Sequence, residues 1–132
     1  MAVELLNLLR YTDSLIGIRN QASQGQKDRA SMITCYLRYI IDPFKLKEFE
    51  HYGKIWIPLV EKFGGKHHGY FLPSEGANNV ALALFSFLSL AAYETYRTDS
   101  QADAECQAAY RYAADTRCIV SYERSFFRPV FD

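Results

Sequence analysis

An α+β domain, with a four-stranded antiparallel sheet and helices packed on one face, is the fold class this sequence predicts. Three observations carry it. The stretch HHGYFLPSEGANNVALALFSF, His67 to Phe87, reads as two strands around a polar Gly/Asn-rich turn, the signal of an antiparallel hairpin. A run of β-branched and aromatic residues precedes this hairpin and another follows it, each separated from it by apolar residues at helical spacing. The chain has 132 residues, one domain's worth and enough for a modest core.

Residues 1–31 differ in character from the rest. Val3, Leu5, Leu6, Leu8 and Leu9 suit a short amphipathic helix, and QASQGQKDRAS after Asn20 has the composition of a linker. They are read as an N-terminal extension, weakly ordered or a short helix, ahead of a domain over 32–132. Met32 directly before the first strand suits a natural start there; an arm that swaps onto a partner is the sharper alternative. Glu4, Asp13 and Asp28 argue against a mitochondrial presequence.

Ile33 to Ile41, ITCYLRYII, is the first strand. Ile33, Cys35, Leu37 and Tyr39 share the face expected to pack under helices, while Thr34, Tyr36 and Arg38 share the other. Asp42-Pro43 starts a helix, with an N-cap oxygen followed by proline at the first helical position. Leu46, Phe49, Gly53, Trp56, Val60 and Phe63 form its buried stripe. Pro58 is expected to bend its last turns and Gly64-Gly65 to stop it. After the hairpin Ser89 caps LAAYETYR, Thr98-Asp99-Ser100 is expected to interrupt the helix, and Ser100-x-x-Asp103 to restart it as a capping box. Ala102, Cys106, Ala109 and Ala113 give the restarted helix a small-residue face. Arg117 to Val130 is the last strand, frayed at Pro129.

Strand, helix, strand, strand, helix, strand is the split pattern of a ferredoxin-like domain. It leaves one sheet face bare, here with Tyr36 and Arg38. A bare aromatic face of that size belongs in an interface, and two such sheets facing each other make a dimeric α+β barrel. A homodimer is therefore expected.

Composition narrows the function classes. Lys plus Arg and Asp plus Glu are 15 each, so no field steers a polyanion and nucleic acid is not an expected partner. Cys35, Cys106 and Cys118 are an odd count without metal-ligand spacing, which suits a reducing compartment. No apolar run approaches the roughly 20 residues that cross a bilayer, and no secretory signal pattern opens the chain. The expected location is cytoplasmic.

The strand ITCYLRY, the helix KEFEHYGKIWIPLVEKFGG, the segment GYFLPSEGANNVALALFSFLSLAAYETYR and the closing YERSFFRPV resemble the NIPSNAP family over about Met32 to Asp132. The resemblance implies a ferredoxin-like α+β barrel and a dimer more firmly than any activity. Many members carry tryptophan in the third strand; Phe85 lies near that place here, which implies a differently shaped pocket if that aromatic lines it. Animal relatives are associated with mitochondria and with scaffolding in vesicular traffic or mitophagy. Other α+β barrels include monooxygenases that need no cofactor, and that analogy is one of fold alone.

The candidate ligand-binding residues are Tyr36, Arg38, His67, His68, Tyr70 and Glu123; no catalytic residue is assigned. His67 and His68 are adjacent on a strand and point to opposite faces, so they cannot together hold one metal, and no metal or cofactor is expected. One of them could act as acid, base or hydrogen-bond donor, beside the plainer reading of a satisfied strand-end histidine. Arg38 needs a carboxylate if enclosed, and Glu123 or Glu75 could serve. It is either half of a structural ion pair or a recogniser of an anionic or carbonyl-bearing ligand. Glu75 to Asn79 is explained by turn geometry. Two function classes follow: a homodimer binding a small, partly apolar molecule in its barrel, with a cofactor-independent monooxygenase-like enzyme as the catalytic alternative, or a non-enzymatic interaction and scaffolding module.

Overall fold

The computed structural model describes residues 31–130. The expected N-terminal helix and linker lie outside the described residues. Among those described, the order is β1 (Ile33–Ile41), a 3-10 turn (Pro43–Lys45), α1 (Leu46–Lys62), β2 (Lys66–Phe71), β3 (Val80–Phe87), α2 (Leu90–Ala102), α3 (Ala104–Thr116) and β4 (Ile119–Phe127). All strand pairs are antiparallel and the sheet order is β2-β3-β1-β4. This is the expected ferredoxin-like arrangement, with two helices in the second helical position.

Strand alternation sorts the sheet into two faces. Cys35, Leu37, Tyr39 and Ile41 of β1 are buried, as are Ala81, Ala83, Phe85 and Phe87 of β3. With Phe49, Trp56 and Val60 of α1 and Tyr93 and Tyr96 of α2 they make the core. On the open face Arg38 lies between Leu82 and Glu123, and Tyr36 between Leu84 and Ser125. Phe127 packs edge-on against Tyr36 at 5.9 Å.

One residue breaks the alternation. The β2–β3 register shifts between His67 and Gly69, and Gly69 has φ of +110°, a value that L side chains rarely adopt. The bulge uses up one residue. Tyr70 therefore joins His67 on the helix side, and their rings stack at 5.0 Å.

The helix signals hold with local changes. The Asp42 side chain accepts from the Phe44 amide at 2.9 Å, but the chain makes a 3-10 turn before α1 begins. Tyr52 and Leu59 join the predicted stripe. Gly64 takes φ of +92° past the end of α1, and a β-carbon on Gly65 would sit 2.6 Å from the Phe87 ring.

The expected break at Thr98-Asp99-Ser100 is not there. Ser100 is fully buried inside α2 and its hydroxyl donates back to the Arg97 carbonyl at 3.1 Å, so it cannot cap a new helix. The break falls at Asp103, which ends α2 and caps α3 by accepting from the Cys106 amide at 3.0 Å. Lys62 of α1 reaches the other oxygen of the same carboxylate at 2.7 Å. β4 starts later than expected, because Arg117 is the left-handed cap of α3, with φ of 54°. Among the described residues no helix is long and apolar enough to cross a membrane.

Candidate functional site

Between the sheet and the helices lies a small chamber of about 60 Å³. β1 supplies Leu37 and Tyr39 to its walls, β3 Phe85, and β2 Tyr70, which the Gly69 bulge has turned inward. α1 contributes Tyr52, Trp56 and Val60, spaced by four so that they share one side of the helix. Gly53 lies against the chamber wall: a β-carbon there would come within 2.9 Å of the Tyr70 ring. Tyr96 and Arg97 of α2, Tyr110 of α3, and Ile119, Tyr122 and Arg124 of β4 complete the lining.

The polar groups in this aromatic interior are unusual. Arg97 is 3% exposed. Its Nη1 donates to the Tyr110 hydroxyl at 3.2 Å, while Nε and Nη2 have no partner. Arg124 donates through Nη1 to the Tyr93 hydroxyl at 2.8 Å and to Cys35 Sγ at 3.3 Å, and its Nε is unmet. The Trp56 indole N–H is also buried without an acceptor. Neither arginine is paired with a carboxylate among the described residues. A guanidinium does not escape such a position by losing its proton. The chamber thus has an apolar body and, among the described residues, several strong hydrogen-bond donors without an acceptor.

Burial sets the state of the other titratable groups here. It pushes the hydroxyls of Tyr39, Tyr52 and Tyr70 well above their usual range, with neighbouring tyrosines adding to the effect. Burial raises Tyr93 to about 12 although Arg124 pulls the other way. The Cys35 thiol is likewise raised by burial, only partly offset by Arg124, so it is a packed thiol rather than a nucleophile. Among the described residues no group of three or more His, Cys, Asp or Glu gathers to hold a metal.

The candidate residues read from sequence divide between the two faces. His67 and Tyr70 are on the helix side. Tyr70 lines the chamber, while His67 stands behind the wall, against Tyr70 and Phe85. His67 Nδ1 accepts from the Gly69 amide at 2.9 Å. Burial, with His68 adding to it, lowers the His67 pKa to about 4. The ring is neutral near pH 7 and has no proton to give as an acid. Tyr36, Arg38, His68 and Glu123 are on the open face. Arg38 and Glu123 face each other at 4.0 Å with side chains 40% and 66% exposed, so Glu123 rather than the distant turn residue Glu75 is the carboxylate beside it. His68 Nε2 meets Ser86 Oγ at 2.7 Å, and Ser86 meets Thr34 Oγ1 at 2.7 Å.

Sequence reading missed Arg97, Arg124 and Trp56 as site residues. The signal was present as phase. Arg124 lies between Tyr122 and Phe126 in the alternation of β4, and Arg97 is one turn after Tyr93 and one before Ser100 on α2. In both places a charge occupies a core position.

Sheet, helices and chamber define a ferredoxin-like α+β domain with an aromatic, donor-rich interior. Residues 36–131 match the NIPSNAP family profile, and the chain belongs to the NIPSNAP family. Among solved structures, a NIPSNAP-like domain protein from Burkholderia xenovorans is 21% identical. The match covers 76% of this chain and 87% of that one, with a TM-score of 0.62. A NIPSNAP family protein of unknown function from Agrobacterium tumefaciens is 19% identical, with coverage of 76% and 89% and a TM-score of 0.66. A candidate antibiotic biosynthesis monooxygenase from Bacteroides thetaiotaomicron is 18% identical, with coverage of 78% and 93% and a TM-score of 0.57. These likenesses are of fold. No curated protein matches the chain.

Proposed function

We propose that the protein is a homodimer that binds a small, partly apolar molecule in the chamber of each subunit. The chamber carries this reading: an aromatic space with buried donors that no acceptor among the described residues meets. A packed core has neither feature. Of the residues singled out from sequence, Tyr70 contacts the ligand and His67 supports Tyr70. Tyr36, Arg38, His68 and Glu123 serve the pairing face.

Pairing through the open face is supported by its content. Leu82, Leu84, Tyr36 and Phe127 form an apolar and aromatic patch across three strands, continued at the β2 edge by Phe71. Phe71 and Phe127 are 50% and 55% exposed, more apolar surface than a free sheet face usually leaves in water. The same patch carries Arg38 and Glu123, so a two-fold pairing offers each charge its opposite. Three free, buried thiols suit a cytoplasmic location.

A second reading, an enzyme acting on the bound molecule without a cofactor, is favoured by the likeness in fold to the candidate monooxygenase. Native mass spectrometry of the purified full chain tests the first reading. Two chains with an added mass of a few hundred daltons are expected. A bare monomer at micromolar concentration, with no small molecule shifting its thermal unfolding, would remove it.

A further inference from the structure

We infer that the molecule bound in this chamber carries a carboxylate, seated on the Nε–Nη2 edge of Arg97 with Arg124 supplying a second positive charge. The inference rests on the chamber being a binding site and goes on to state the chemistry of its occupant.

The argument begins with which donors are unmet. Arg97 spends Nη1 on the Tyr110 hydroxyl and leaves Nε and Nη2 free. Those two nitrogens lie on one edge of the guanidinium, and their spacing matches the two oxygens of a carboxylate. A hydroxyl or carbonyl ligand would meet one and strand the other. The charge balance points the same way. Arg97 and Arg124 both line the chamber, and neither has a carboxylate partner among the described residues. Among the described residues a buried guanidinium, Arg97, and a half-buried one, Arg124, meet tyrosine hydroxyls, a thiol and aromatic rings, and are poorly compensated. An anion supplies what the described residues do not. The body of the ligand is set by the opposite wall, where Tyr52, Trp56 and Tyr70 offer flat apolar surface. A small aromatic or apolar carboxylic acid satisfies both ends.

Trp56, the chain's single tryptophan, lines the chamber and reports on its occupancy by fluorescence. Benzoate and benzamide are the probes, because they share shape and differ in charge. On the full-length protein, benzoate is expected to change Trp56 emission and to bind at least about tenfold tighter than benzamide. Arg97→Lys keeps the charge but removes the two-nitrogen edge, and should bring the two probes to within about threefold of each other. Equal binding of acid and amide overturns the carboxylate and leaves the chamber as a site for a neutral molecule. Failure of both probes to alter Trp56 emission removes the chamber reading and this inference with it. Inorganic phosphate competing more strongly than benzoate assigns the arginines to a phosphate ester instead, which also overturns the proposal. The acid–amide comparison on the unaltered chain decides the matter even if the variant does not fold.

Discussion

The two faces of the sheet are built from alternate residues of the same strands, yet they handle charge in opposite ways. On the open face Arg38 has water and a carboxylate, Glu123, at 4.0 Å. One residue along β4, on the helix side, Arg124 has a tyrosine hydroxyl, a thiol and an unmet Nε. An exposed pair contributes little and asks little. A guanidinium taken out of water without a carboxylate is expensive. The contrast is the ground for proposing ligand chemistry on the helix side and pairing on the open side.

Truncating one aromatic on each face tests the contrast most strongly. Phe49→Ala, at a fully buried ring that packs on Tyr39 at 5.0 Å, is expected to lose about 3–5 kcal/mol in urea unfolding. Phe127→Ala, at a ring 55% exposed, should lose less than about 1 kcal/mol in the subunit's own unfolding at low concentration. Comparable losses would mean that the open face is structural core. The arginines come next. Arg124→Met removes a half-buried charge with no carboxylate to strand among the described residues, so the subunit should be unchanged or gain up to about 4 kcal/mol while Trp56 stops responding to ligand. Arg38→Met should shift stability by less than about 1 kcal/mol. A destabilised Arg124→Met protein would show that its bonds to Tyr93 and Cys35 hold the fold.

A smaller effect follows from His67. Its pKa falls from 6.5 to about 4 on folding because burial, and then His68, disfavour the charged ring. Between those values the unfolded chain binds more protons. Stability is therefore full above about pH 6.5 and is lost as pH falls toward 4, by about 2 kcal/mol after allowance for residual hydration of the ring. His67→Gln should flatten that slope. An unchanged slope would transfer it to the carboxylates.

The fold was legible because its signals are local. Period-two runs mark β1, β3 and β4; Asp42-Pro43 marks the way into α1 and Gly64-Gly65 the way out. Ser89 caps α2 as expected, its Oγ accepting from the Ala92 amide at 3.0 Å. The site was legible only in part. Tyr36 and Arg38 were assigned one face by alternation and Glu123 was named as a carboxylate for Arg38; the three lie on the same face. Tyr70 could not be placed that way, because the Gly69 bulge reverses its face and a glycine in a strand does not announce a bulge by itself. Arg97 and Arg124 were not singled out from sequence, because only tertiary packing shows them enclosed without a carboxylate among the described residues. The misplaced break in α2 has a similar cause. Ser100 and Asp103 are both acceptable caps locally, and the choice falls to burial of the serine and the reach of Lys62.

Asp103 is a joint with no slack. Its amide donates back to Ser100, its carbonyl accepts from Gln107 ahead, and its two carboxylate oxygens hold Cys106 and Lys62. Every polar group of the residue is thereby committed, and α2 and α3 meet through one pair of dihedral angles, φ −83° and ψ 129°. Arg97 rides on one arm of this elbow and Tyr110 on the other, bridged at 3.2 Å. A single residue inserted at position 103 would rotate one arm about its axis by roughly 100°, the turn that each helical residue makes. Tyr110 would leave Arg97, and the guanidinium would lose its bond to a neighbouring side chain. The elbow behaves as a gauge block that holds the two arms at a fixed angle. Variation in loop length among relatives is accordingly expected in the β2–β3 turn and at the chain ends, and not at this hinge.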